Sequence, residues 1–234
     1  MKNNSDYKTF LSVDKNKFSI VVLNSDNKRI YEKESFLKNS VSDLNFESLD
    51  DFLNQNIFEI EKILNEFVNN IFLIIDHSDL FTIGLSIKER KDDIFLNTNS
   101  INSLLIEAKN QCKQTLKNVD IIHMKIDEFY VDNISYKNLP EQQICKNFSI
   151  DLSFICIPNI ISKNFEKILS KYEISLSKIL SYQYLASFAE SRKVNDIHEI
   201  AYKILNGLNE NEVFLIAKKP KNVGFFEKFF NFFN

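Results

Sequence analysis

Apolar and polar residues along positions 9–36 alternate with the two-residue period of β-strands. TFLSV (Thr9–Val13), FSIVVL (Phe18–Leu23) and RIYEKESF (Arg29–Phe36) are separated by DKNK and NSDNK, which have the polar chemistry of hairpin turns. These three runs predict an antiparallel meander. The period then lengthens. In FESLDDFLNQNIFEIEKILNEFVNN, residues Phe52, Leu53, Ile57, Ile60, Ile63, Leu64 and Phe67 recur at spacings of three and four, which predicts an amphipathic helix. It leads into IFLIID (Ile71–Asp76), a continuous apolar run suited to a buried strand, with polar His77 to Asp79 beyond it. Residues 1–77 thus read as a βββαβ unit.

A second unit follows over 78–190. FTIGLSIK and DDIFL are strand-like, and Ile101–Asn118 is a helix with Leu104, Leu105, Ala108, Cys112 and Leu116 on one face. IIHMKIDEFYVDN (Ile121–Asn133) alternates as a strand with a slip near Asp127, and NFSIDLSFICIP (Asn147–Pro158) is another strand. A helix from Asn159 to about Tyr172 is continued by SKILSYQYLASFAES. Residues 191–217 give a short helix, a turn at Asn206-Gly207 and a strand at Val213–Ala217, which return to the first unit. Residues 218–234 form a basic linker and an aromatic tail.

Composition narrows the class. A chain of 234 residues, 44% hydrophobic and 26% charged, has room for one large domain or two small ones. A net charge of -3 offers no global surface for nucleic acid. The N-terminal residues are polar before a short apolar run, unlike a signal peptide. The longest apolar stretch, Ile71–Ile75, falls far below the ~20 residues of a membrane span. Cys112, Cys145 and Cys156 lack CxxC spacing and read as buried thiols in a reducing compartment, not as a zinc site or disulfide.

The tail, GFFEKFFNFFN, carries the clearest pattern. At about 100° per residue, Phe225, Phe226, Phe229, Phe230, Phe232 and Phe233 fall within an arc of roughly 160°, while Glu227, Lys228, Asn231 and Asn234 fill the opposite arc. Lys218, Lys219, Lys221 and Lys228, offset by Glu227, add +3 along the polar side and its approach. A nearly all-aromatic face, flanked by lysines and set beyond a Pro-Lys-Asn-Val-Gly linker, predicts an interfacial helix that binds anionic membrane lipids. Packing on the chain's own core and insertion into a groove of a partner protein are the competing readings.

The βββαβ order resembles the opening of an actin-like (ribonuclease H-like) domain, and the later segments point to one family. IIHMKIDEFYVDN is similar to a strand of the bacterial cell-division protein family FtsA, in which an apolar-apolar-His run leads to a Glu-Tyr/Phe-x-x-Asp ending. Leu152–Ser187 resembles the FtsA segment that follows, and the tail resembles its C-terminal membrane-targeting helix. The resemblance implies an α/β (α+β) fold: part of an actin-like lobe combined with an SHS2 subdomain, plus a C-terminal amphipathic helix. It implies a peripheral adaptor on the cytoplasmic face of the inner membrane. Its partners would be the division ring, late division proteins reached through the SHS2 module, and other copies of itself. In that family the ring protein FtsZ is held mainly by a second lobe, for which this chain is too short. A PilM-like scaffold of type IV pilus assembly or another envelope machine is the alternative.

The departures from the family set the expected chemistry. Actin-like ATPases clamp phosphate with two glycine-rich hairpins, because glycine lets backbone N–H groups approach the oxygens. Asp14 matches the family's aspartate, but Lys15 and Asn16 stand where glycine and a small hydroxyl residue belong. The second glycine run, expected after Leu185-Ala186-Ser187, is absent, and the chain contains only Gly84, Gly207 and Gly224. The expectation is a shortened relative with no nucleotide cofactor, no bound metal and no enzymatic activity. His123 reads as a structural histidine, and His77 and His198 lack partners at metal-ligand spacing. Asp50 and Asp51 read as helix N-terminal carboxylates, and Asp76 and Asp79 flank His77 after a buried strand, where α/β enzymes place functional carboxylates.

Overall fold

The computed structural model describes residues 7–37, 44–140 and 143–213. The segment carrying Lys218, Lys219, Lys221, Lys228 and Phe225, Phe226, Phe229, Phe230, Phe232 and Phe233 lies outside them.

The predicted meander is present as β1 (Tyr7–Val13), β2 (Lys17–Asn24) and β3 (Arg29–Phe36), with Val13 opposite Phe18 and Lys17 opposite Phe36. Helix α1 (Phe46–Leu64) begins at Asn45, whose side chain accepts the Ser48 N–H, and ends at Asn65 in the left-handed conformation (φ 54°) that asparagine tolerates. Strand β4 (Asn70–Ile75) then runs parallel to β1, and β9 (Ser175–Ser181) runs parallel to β4. The resulting 5-stranded mixed sheet has the order β3-β2-β1-β4-β9. Both its faces are covered. Phe18 meets Phe52 of α1 on one side, whereas Phe10 meets His198 of α5 (Ile197–Leu205) on the other. Coverage of both faces is why most residues of β1, β2 and β4 are buried, not only every second one.

Between β4 and α3 (Asn159–Ser170) the chain builds a second, 4-stranded antiparallel sheet in the order β5-β8-β6-β7. Its strands are β5 (Phe81–Phe95), β6 (Val119–Val131), β7 (Ile134–Tyr136) and β8 (Ile144–Pro158). Helix α2 (Thr98–Thr115) covers one face, and Leu104, Leu105, Ala108 and Cys112 are buried against Met124, Phe148, Leu152 and Phe154. The open face is polar: Ser86 donates to Asp151 at 2.5 Å, Tyr130 to Glu128 at 2.7 Å, and Ser153 to Asp127. The slip expected near Asp127 is a register shift between Ile126 and Glu128, and a second shift lies between Ile121 and His123. The β6–β7 hairpin turns through Asp132 (φ 48°) and Asn133 (φ 71°), the residue types that accept left-handed backbone. All three cysteines are free and buried.

Three expectations need correction. FTIGLSIK and DDIFL form a single strand, β5, with a register shift between Arg90 and Ile94. Residues 175–181 do not continue a helix. Leu176, Ile179 and Leu180 pair beside β4, so the chain rejoins the first sheet at Ser175, before the expected boundary at residue 190. Helix α4 (Tyr182–Arg192) begins only after β9. On α1, Phe52, Leu53, Ile57 and Ile60 are buried as expected, but Ile63 in its last turn is 55% exposed, and Phe67, 77% exposed, lies beyond the helix, which ends at Leu64. Of the strand expected at Val213–Ala217, Val213 donates its N–H to the Met124 carbonyl and the remainder lies outside the described residues; Glu212, just before it, bridges to Lys125.

The two cores meet. Ile122, Ile155 and Ile157, from the base of the second sheet, are buried among the residues of the first. No helix among the described residues is long and apolar enough to cross a membrane.

Candidate functional site

The C-terminal ends of the parallel strands β1, β4 and β9 open on one cleft, the place where α/β sheets bind ligands. Ser12, Asp14, Asp76, His77, Gln183 and His198 line a cavity of about 440 Å³ there. Gln183 Nε2 reaches Asp76 Oδ1 at 3.4 Å. Ser181 caps α4 at the cleft edge by accepting the Tyr184 N–H.

The β1–β2 hairpin forms one wall, and its amides are already engaged. Asp14 Oδ1 accepts the backbone N–H groups of Asn16 at 2.7 Å and Lys17 at 2.9 Å, while the Asp14 N–H donates to the Lys17 carbonyl. A phosphate clamp needs such N–H groups turned outward toward the anion. Here a carboxylate within the turn holds them. Nor is Lys17 directed at the cleft alone: its ammonium pairs with Glu34 at 2.8 Å.

Opposite the hairpin, Ser12 Oγ lies 2.9 Å from His198 Nε2, and His198 Nδ1 lies 3.6 Å from Asp196 Oδ1. Linear order gives no sign of this Ser-His-Asp grouping. Its geometry is not that of a nucleophilic triad. Asp196 Oδ1 accepts the His198 and Glu199 backbone N–H groups as the cap of α5, and its distance to Nδ1 is too long to orient the imidazole. Asp196 also pairs with Arg29 at 2.8 Å, which fastens α5 to β3. Burial pushes the His198 pKa below its ordinary value.

A second polar cluster lies at the junction of the two sheets. Glu212 receives His123 Nδ1 at 2.8 Å, Lys178 Nζ at 3.0 Å and Tyr184 OH at 2.9 Å. The Ser181 N–H donates to His123 Nε2 at 3.0 Å, so the ring proton resides on Nδ1 and points at Glu212. Burial pushes the His123 pKa down and keeps the ring neutral at pH 7. Burial alone would raise the Glu212 carboxyl, but the His123 and Lys178 donors outweigh it and hold the group below the usual carboxylate range. Asn209 Nδ2 completes the network by donating to the Tyr184 hydroxyl at 2.7 Å.

No protein-family model matches the chain, and no curated protein matches it by sequence. Among solved structures it is similar to the PilM-PilN type IV pilus biogenesis complex, at 6% identity over 80% of this chain and 50% of that one, with a TM-score of 0.49. It is similar also to the cytoplasmic domain of EpsL, an inner membrane component of the type II secretion system of Vibrio cholerae. That match has 15% identity, covers 75% and 54% of the two chains, and has a TM-score of 0.32. A Bacteroides thetaiotaomicron protein of unknown function with an actin-like ATPase fold matches at 14% identity, over 80% and 56%, with a TM-score of 0.33. The chain spans about half the length of these structures, 50–56%.

Of the residues singled out from sequence, Asp14, Asp76, His77 and His198 come together in the cleft, while Asp79 turns outward with its N–H bonded to His77. Asp50 and Asp51 lie in the second turn of α1, not at its start. Asp50 accepts from Lys171 and from the Tyr172 hydroxyl, so it joins α1 to the end of α3. His123 is buried, as expected, but its partner Glu212 stands 89 positions away and has no local signature. Among the described residues no cluster of three or more His, Cys, Asp or Glu could hold a metal ion.

Proposed function

We propose that this chain is an FtsA-like peripheral adaptor on the cytoplasmic face of the cell membrane. In this role it tethers or recruits division-ring components and hydrolyses no ATP. The observation that carries the reading is the placement of the second sheet. It interrupts the connection from β4 to β9 of an actin-like mixed sheet, and it does so within the segments whose residues resemble FtsA. The engaged Asn16 and Lys17 amides support a nucleotide-free role. The aromatic tail supports the anchor, with anionic lipids as its first partner.

Magnitudes favour reversible attachment. Burying a Phe fully is worth roughly 1.5–3 kcal/mol, partial insertion less, and each lysine near an anionic leaflet adds about 1 kcal/mol or less. Several tails presented together bind far more tightly than one, which suits a protein that gathers in an assembly.

Co-sedimentation with anionic vesicles tests the anchor. The full chain pellets, a version ending at Val223 stays in the supernatant, and Phe229→Ser weakens pelleting by about tenfold, the equivalent of 1.4 kcal/mol. Equal pelleting of the full and shortened chains removes the anchor. A fluorescent fusion at midcell supports the division role. A fusion that instead marks sites of pilus or secretion machinery favours the PilM-like scaffold.

A further inference from the structure

Residues 209–213 lie as a strap along the outer edge of β6. The Ile126 N–H donates to the Asn211 carbonyl and the Val213 N–H to the Met124 carbonyl, both at 2.8 Å, with Lys125 opposite Glu212. The Glu212 side chain is 1% exposed, and its three donors come from three elements: His123 on β6, Lys178 on β9 and Tyr184 on α4. One carboxylate therefore joins the inserted sheet, the mixed sheet and the last described residues of the chain.

We propose that the His123–Glu212–Lys178–Tyr184 cluster is a protonation-sensitive clasp. With His123 neutral, it holds the strap against both sheets. With a second proton on His123, it lets the strap go. This inference stands independently of the functional reading above.

The reason lies in His123 Nε2. Its lone pair accepts the Ser181 N–H at 3.0 Å, and Ser181 is also the cap of α4, so that amide cannot turn away without shifting the helix start. A proton on Nε2 sets two N–H groups head to head. The ring must move, and in moving it withdraws Nδ1–H from Glu212. Around the ring, Glu212 on the strap favours the second proton, while Lys178 on β9 and Lys125 on β6 oppose it. The Tyr184 ring of α4 lies tilted against it at 4.3 Å, and β8 presents Ile155 opposite it. Desolvation of the charged imidazolium adds to the opposition. Release therefore occurs below the ordinary imidazole value and not at neutrality.

Amide hydrogen exchange of the full chain, corrected for intrinsic rates, tests this between pH 7.5 and 4.5. Strap opening coupled to one proton rises about tenfold per pH unit as pH falls from the ordinary imidazole value to that of His123. This acceleration appears in residues 122–126, 181–184 and 209–213, while the β1–β2 hairpin stays flat. His123→Asn keeps a donor for Glu212 but cannot titrate, and its exchange is flat. Glu212→Gln removes the favourable charge, so the rise extends to lower pH before it levels off. The proposal is overturned if His123→Asn retains the wild-type profile, if Glu212→Gln abolishes the transition, or if nitrogen NMR finds the neutral ring protonated on Nε2. Should His123→Asn fail to fold, the Glu212→Gln profile and the tautomer decide.

Discussion

The hydroxyl of Ser12 and Nε2 of His198, 186 positions apart in sequence, meet at 2.9 Å on the wall of the cleft. Phe10, two residues before Ser12 on β1, packs edge-on to the same imidazole at 6.2 Å. The pair therefore seats α5 on β1. Ser12→Ala is expected to lower stability by about 1 kcal/mol, the worth of one partly buried hydrogen bond. His198→Ala removes the bond and the ring packing together and costs more. Urea denaturation of both variants checks the order.

Stability should fall as pH falls through the imidazole range. Burial lowers the folded pKa values of both His123 and His198 from 6.5, so between that value and the lowered ones the unfolded chain binds more protons. Their contribution is complete above about pH 6.5, declines below it, and levels off once the folded rings are protonated. Glu212, held below its ordinary 4.5, adds a second decline at lower pH. Denaturation midpoints measured from pH 8 to 2.5 should show both, and His198→Asn should flatten part of the first.

At the hairpin, Asp14→Ala releases the Asn16 and Lys17 amides and destabilises the turn by about 1 kcal/mol. The unaltered chain gives no micromolar binding heat with Mg-ATP in a calorimetric titration. A micromolar isotherm would mean that Asp14 surrenders those amides to phosphate.

Two phenylalanines give opposite outcomes. Phe165 is fully buried on α3, with its ring 5.2 Å from Phe46 of α1, and Phe165→Ala is expected to cost about 3–5 kcal/mol. Phe58 lies on α1 but is 71% exposed, and Phe58→Ala should stay within about 0.5 kcal/mol. Thermal denaturation of the two proteins side by side measures the contrast.

Much of the fold could be read from local periodicity. The meander, α1 and α2 carry a two-fold or helical repeat, β4 a continuous apolar run, and the Ile126/Glu128 irregularity shows as a break in alternation. Strand β9 could not be read in this way. SLSKILS lies between two helices, and its last three residues are buried through long-range packing against β4, α3 and β6. Of the cleft, Asp14 is suggested by the family resemblance and Asp76 by its position after a strand. The Ser12–His198 and His123–Glu212 contacts were not, because long-range pairing leaves no trace at either partner. Exposed Phe67 shows the converse: an apolar residue at helical spacing that falls in the loop beyond the end of α1.

Strand β8 runs 15 residues from Ile144 to Pro158, about 50 Å at ~3.3 Å per residue, with its last turns of sequence sunk in the first core. The antiparallel plate it anchors is thus a lever and not a pendant lobe. A partner pulling on the Asp132-Asn133 tip loads β6 lengthwise along covalent backbone, and the strain arrives at Ile122, beside Ile155 and Ile157 of β8 beneath the mixed sheet. Tension at that tip would be felt by the body at once, with no slack joint between to absorb it.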